Sequence, residues 1–315
     1  MNTKTATLPL LLFAFAANLH AEDIALMGGA LKVHEKNESS FAAALSYTHP
    51  VGAYSALSLT YLNEGHPLDH HRDGIAGQAW LRTKQSQHGL SFGAGLGAYY
   101  YFDTARAAPG GYSNDHGWAP IYSVSASWLF PSGWYAHLQA NRVLPRGKDD
   151  TSQLLLGVGY RFEGVPGNKL HLGKPSHDDT LTLSAGQTIV NSFDSERARA
   201  YSAEYRRVLR PYVDWSVSWL KEGGNARTDR AGLATQLWLI RSLGRHVELG
   251  MGAGPYLAYD LPHLTQRQRH VSGLVSIVGR YHFNQSWVGQ LSWNRVVTDY
   301  HRDADVLLLG LGRTF

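Results

Sequence analysis

The chain contains no cysteine in its 315 residues, which removes thiolate nucleophiles, cysteine-ligated zinc and disulfide frameworks from consideration. Charge is sparse as well. Only 17% of residues are Asp, Glu, Lys or Arg, and 29 basic against 25 acidic side chains leave a formal charge of +4. The basic residues stand singly between apolar ones, so no tract could follow a phosphate backbone and nucleic acid is not the expected partner. Long apolar runs are also missing. Runs such as Leu154-Leu155-Leu156 are broken within a few positions by Gly, Ser, Gln or Arg, whereas a spanning helix needs roughly 18 or more apolar residues. Such a chain is either soluble or crosses a membrane as strands.

What is present fits strands. The first 21 residues read as an export signal, with Lys4 in the n-region, Leu8 to Ala17 as the apolar segment and Leu19-His20-Ala21 as the cleavage site. Beyond it, alternation of period two recurs, the signature of half-buried strands. In Leu90 to Tyr101 one face carries Leu90, Phe92, Ala94, Leu96, Ala98 and Tyr100, which suits lipid. The other face carries Ser91, three glycines and two tyrosines. Similar segments are predicted at Asp23 to Val33, Phe41 to His49, Tyr54 to Leu62, Gly74 to Arg82, Trp118 to Phe130, Trp134 to Val143 and Ser152 to Phe162. Short turns, 49–52 and 131–133, alternate with longer polar loops at Glu64 to Asp73, Asp103 to Gly117 and Leu144 to Asp150. Outer-membrane barrels have short periplasmic turns and long outer loops. The last residue, Phe315, closes a strand carrying Leu307, Leu309 and Leu311, an ending that resembles the signal read by the barrel assembly machinery.

The two halves match. Tyr61-Leu62-Asn63-Glu64-Gly65 returns as Trp219-Leu220-Lys221-Glu222-Gly223, and Gln78 and Trp80 return as Gln236 and Trp238. Asn141-Arg142-Val143 returns as Asn294-Arg295-Val296, and Phe162 as Phe315. The expected organisation is a signal at 1–21, an eight-strand repeat at 22–163, a periplasmic joint at 164–178 and a second repeat at 179–315. The fold class is all-β, a transmembrane antiparallel barrel made by tandem duplication. One barrel of sixteen strands is the favoured closure, two barrels of eight the alternative.

If the leucine-rich face of each strand meets lipid, the opposite face lines the interior. Glu64, Arg72, Gln78, Trp80, His137 and Asn141 are the candidate lumen residues of the first copy, and Glu222, Arg230, Gln236, Trp238 and Asn294 those of the second. Such a wall either plugs the barrel by internal hydrogen bonding or lines a passage. Arg142 and Arg295 fall on the lipid-facing parity at the outer ends of their strands, where a guanidinium can bind lipopolysaccharide phosphate or simply snorkel. The segment His66 to Asp73 groups imidazoles and carboxylates without a metal-ligand spacing. His116 beside Asp115 and His301 beside Asp303 read as solvated loop residues. No cofactor or metal is implied.

Each half resembles the eight-stranded outer-membrane lipid A deacylase (PagL-like) barrel. The resemblance rests on Thr60 to Gly65, on the glycine strand Phe92 to Gly97, and on the closing strands from Gly133 to Phe162. It implies a serine esterase with His and Ser two apart on the penultimate strand and a carboxylate near the start of the last. Those positions hold Arg142 and Leu144, then Arg295 and Val297, with Gln153 and Val306 at the carboxylate position. Leu and Val carry no nucleophile, and arginine is no base at neutral pH. The expectation is therefore a non-catalytic outer-membrane barrel, a channel or export path for a hydrophilic solute or polysaccharide, in contact with membrane lipid and lipopolysaccharide. A lipid A-modifying enzyme using Glu64, His116, Ser152 or Asp305, and a plugged surface-interaction barrel, are the alternatives.

Overall fold

The computed structural model describes residues 22–67, 69–83, 89–107, 111–162, 179–224, 228–243, 246–260 and 269–315. The expected signal and joint lie outside these residues. The first eight strands are β1 (Glu22–Val33), β2 (Glu38–Pro50), β3 (Ser55–Asn63), β4 (His70–Arg82), β5 (Gly89–Ala107), β6 (Gly111–Leu129), β7 (Trp134–Val143) and β8 (Thr151–Phe162). The second eight are β9 (Thr180–Val190), β10 (Arg197–Arg210), β11 (Val213–Gly224), β12 (Asp229–Leu243), β13 (Val247–Asp260), β14 (Arg269–His282), β15 (Trp287–Val297) and β16 (Ala304–Thr314).

Each strand pairs antiparallel with its chain neighbour, and each set of eight closes on itself. β1 meets β8 from Glu22 opposite Phe162 to Val33 opposite Thr151, and β9 meets β16 from Thr180 opposite Thr314 to Val190 opposite Ala304. The favoured single barrel of sixteen is thereby corrected to two barrels of eight. Once β8 satisfies the free edge of β1 along its length, neither barrel offers an unpaired strand to the other.

Side chains alternate as the pleat requires. Along β8, Leu154, Leu156 and Val158 point outward and are exposed, while Thr151, Gln153 and Leu155 are buried inside. β5 and β6 run 19 residues each, well past the roughly 9–11 that a tilted membrane strand needs. Asp103 to Gly117, expected as a loop, is therefore the outer part of this hairpin, with Asp103 opposite Asp115 and Ala107 opposite Gly111. Residues 70–73, expected in a loop, already belong to β4.

Two glycine features shape the interior. Gly65 and Gly223, each following the interior glutamate, have φ of 69° and 71°, the left-handed region that glycine enters without cost. A Cβ on either would strike the Phe41 or Arg199 carbonyl oxygen. At Gly95 and Gly252 a Cβ would meet the indoles of Trp80 and Trp238, so the glycine strand is what makes room for each tryptophan.

Candidate functional site

All eleven candidate lumen residues lie inside the barrels, six in the first and five in the second. At the outer end of the first, Arg72 donates through Nε to Glu64 and through Nη2 to Thr151 Oγ1 at 3.1 Å. Both arginine Nη groups reach the Asp149 carbonyl at 3.2 Å. Glu64 also accepts from Thr151 at 3.1 Å and from Gln153 at 2.8 Å. Below this pair the bonds continue without a break: Asn141 Nδ2 donates to Gln153 at 3.0 Å, Ser123 Oγ to Asn141 at 2.7 Å, and Gln78 Nε2 to Ser123 at 2.9 Å. Gln139 joins Asn141 at 2.8 Å, and His137 contacts Gln139 at 3.2 Å and Ser127 at 2.7 Å. Trp80 Nε1 donates to Ser58 at 2.9 Å.

The second barrel repeats this plan with different partners. Arg230 binds Glu222 through Nε at 3.0 Å and Nη2 at 2.5 Å, and Tyr300 through Nη1 at 2.9 Å. Gln236 donates to Ser276 at 2.9 Å, Ser276 to Asn294 at 2.7 Å, and Trp238 to Ser216 at 2.9 Å. Val306 stands where the first barrel has Gln153, and Asn294 donates instead to the Val306 carbonyl at 3.0 Å. Toward the other end, Arg206 pairs with Glu204 at 3.0 Å and lies 3.8 Å from the centre of the Trp238 ring. Arg72, Arg230 and Glu222 are wholly buried.

Among the described residues, the first barrel encloses a cavity of about 50 Å³ near its inner end, bordered by Asp23, Trp80, Arg82, Tyr135, His137 and Arg161. The second encloses about 20 Å³ around Glu204, Gln236 and Gln290. These volumes suit one or a few waters, not a hydrated solute.

Above the first plug lies a mouth of charged groups. His70 Nδ1 is 2.9 Å from Asp103 Oδ1, and Lys148 Nζ is 2.6 Å from Asp115 and 3.2 Å from Asp103. Burial works against the ammonium of Lys148, but its bond to Asp115 and the charge of Asp103 outweigh this and hold its pKa above the ordinary lysine value. His66 and His71, expected as part of a mixed cluster, contact each other at 2.9 Å while His70 turns to Asp103.

The two outward arginines have separate fates. Arg142 is part-exposed and pairs with Asp150 at 2.9 Å and with Ser152 Oγ at 3.3 Å. Arg295, expected beside lipopolysaccharide phosphate, is buried against the first barrel, with Nη2 2.5 Å from Asp73 and Nε 2.8 Å from Asp305. His116, expected in solvent, contacts Asp303 of the second barrel at 2.6 Å, and His301 contacts Asn114 at 2.9 Å. Of the residues named for a lipid A-modifying enzyme, Glu64 is in the plug, His116 and Asp305 are in these contacts, and Ser152 lies 2.9 Å from His34 Nε2 at the outer rim.

Sequence reasoning missed Ser123, Ser276, Gln153 and Thr151, all partners in the plugs. Parity would have found them, because each falls on the inward face of its strand. The contacts between barrels carried no such signal, since their residues sit on the face that reads as lipid-facing, as Tyr61 and Arg295 do, or in segments that read as loops, as His116 and His301 do.

Neither a family model nor a curated protein matches the chain. Among solved structures, the N-terminal β-barrel domain of Pseudomonas aeruginosa OprF aligns over 45% of this chain and 100% of its own at 13% identity, with a TM-score of 0.38. Ail, the attachment invasion locus protein of Yersinia pestis, covers 45% and 99% at 16% identity, with a TM-score of 0.34. The translocator domain of the autotransporter NalP from Neisseria meningitidis covers 95% and 90% at 10% identity, with a TM-score of 0.21. Likeness this slight leaves the architecture resting on the strand pairing of the chain itself.

Proposed function

We propose that this protein is a non-catalytic outer-membrane pair of eight-stranded barrels, built by duplication and exported by residues 1–21, whose filled interiors are scaffolds for its outer rim. The observation that carries the reading is that large apolar side chains ring the outer faces while charged and amide side chains are buried inside. Leu96, Leu156, Leu183 and Leu309 are each at least 64% exposed on the outer faces, while Glu64, Arg72, Gln78, Glu222, Arg230 and Gln236 are buried in the interiors beside smaller apolar clusters. Water would drive those leucines inward, whereas hydrocarbon favours them outside and demands closed backbone pairing. Arg142, near the outer end of β7, is then a candidate for lipopolysaccharide phosphate.

Two other readings each have one observation in their favour. Buried polar side chains line both interiors beside apolar clusters that include Met27, Leu31 and Leu155 in the first barrel and Leu220, Leu274 and Leu308 in the second; the polar part is what a channel or export path for a hydrophilic solute or polysaccharide would require, although passage needs the Glu64–Arg72 and Glu222–Arg230 plugs to open. The contact of Ser152 with His34 favours a lipid A-modifying enzyme. The test joins planar-bilayer conductance of the refolded protein to mass spectra of lipid A from cells expressing it. Silence in conductance with unaltered lipid A is the expected result. Steady channel steps, or loss of an acyl chain that Ser152→Ala abolishes, would overturn it.

A further inference from the structure

The barrels touch along a seam made of unlike faces. At the outer end the first barrel presents Tyr61 and Asp73, and the second presents Trp293 and Arg295. Tyr61 donates to Asp73 at 2.7 Å, its ring lies 4.8 Å from that of Trp293, and Asp73 receives Arg295 at 2.5 Å. At the inner end Arg241 of the second barrel donates to Glu22 at 2.7 Å and to Tyr47 at 3.0 Å. A face that binds an unlike face is heterologous, and because each barrel follows the same plan, it could in principle add barrel after barrel.

The free faces lack the residues that make the contact. On the first barrel, the place of Trp293 beside the matching arginine is taken by Ala140, and that of Asp305 by Ser152, while Arg142 is paired by its own Asp150. On the second, Ala231 precedes Gly232 where Asp73 precedes Gly74. Thr83 stands two residues after Leu81, as Arg241 stands two after Leu239. A barrel offered to either free face would therefore leave an arginine or a carboxylate buried without its partner, which costs more than the contact returns.

We infer that the seam is a directional docking surface whose fitting partner is the chain's own other barrel, and that loss of the matching residues on the free faces stops assembly at two. The inference goes beyond the proposed function, since it holds whether or not the barrels conduct. It is tested in the full chain carrying an affinity tag and then a protease site within residues 164–178. After cleavage in micelles, the second barrel is expected to stay with the tagged first barrel, and to be released from the Asp73→Arg variant. Asp73→Arg combined with Arg295→Asp and Asp305→Asn is expected to restore retention, because the ion pair returns with its sign reversed and no second carboxylate faces the new aspartate. Heat-modifiable mobility of both halves shows in each case that the barrels are folded. Release from the unaltered chain, or retention unchanged by Asp73→Arg in folded protein, would overturn the docking surface. For the free faces, A140W, S152D and A231D together are expected to produce chain-to-chain oligomers by sedimentation in micelles. A combined variant that stays folded and monomeric would overturn the claim that these positions stop assembly.

Discussion

Glu64 accepts from Arg72, Thr151 and Gln153 inside a wall with almost no solvent. Removing the carboxylate leaves the Arg72 charge buried without a counterion, a loss of about 3–5 kcal/mol, whereas replacing both partners by apolar groups of similar volume can be nearly neutral. Glu64→Ala should therefore lower the urea midpoint of the refolded protein sharply, and Glu64→Leu with Arg72→Met should recover most of that loss. Equal loss in the double variant would show that the pair is held for its hydrogen bonds to Thr151 and Asp149 and not for charge. The same scale explains why the inner wall was legible in the sequence. Period-two alternation puts Gln78, Trp80, Asn141 and their counterparts on one face by parity alone. It does not say which of them touch, because contacts such as Gln153 with Glu64 and Ser123 with Gln78 join strands that are not neighbours in the chain.

Strands were readable where they are amphipathic and unreadable where they are not. β7 runs from Trp134 to Val143 as the alternation predicts. The upper hairpin of β5 and β6 carries Asp103, Asn114 and Asp115, a composition that reads as a loop, and it holds strand form through ladder bonds that carry no side-chain code. A membrane sets a second, depth-dependent rule for each strand. Leu156 is in the middle of β8 and 65% exposed, so Leu156→Arg should cost about 2–4 kcal/mol in vesicles, against roughly 0–1 kcal/mol for Ser152→Arg at the outer end. Urea titration of tryptophan fluorescence in vesicles checks this, and equal costs at the two depths would count against a spanning strand. A different element-level test concerns the turn after β3. Because Gly65 has a positive φ and no room for a Cβ, Gly65→Ala should reduce the folded fraction by misplacing Glu64. Gly77, whose added Cβ meets nothing within 4 Å, should accept alanine with little loss.

Closure and the seam belong to the molecule as a whole, and neither was legible in one strand at a time. Eight or sixteen strands give the same alternation, and the choice is made by backbone bonds between β1 and β8 and between β9 and β16. Arg295 and Trp293 share the parity of true lipid-facing residues and differ from them only by meeting another barrel. Separate closure has a consequence for how the chain comes apart. Among the described residues no ladder bond runs from one barrel to the other, so damage inside the first barrel reaches the second through the contacts of the seam. Under mild denaturant, protease treatment of Glu64→Ala should therefore digest the first barrel and leave a protected fragment spanning about residues 179–315, visible by mass spectrometry. The mirror variant, Glu222→Ala, should leave the fragment 22–162 instead. Loss of both halves together in either variant would mean that the seam, not the closed sheet, is the unit of cooperativity.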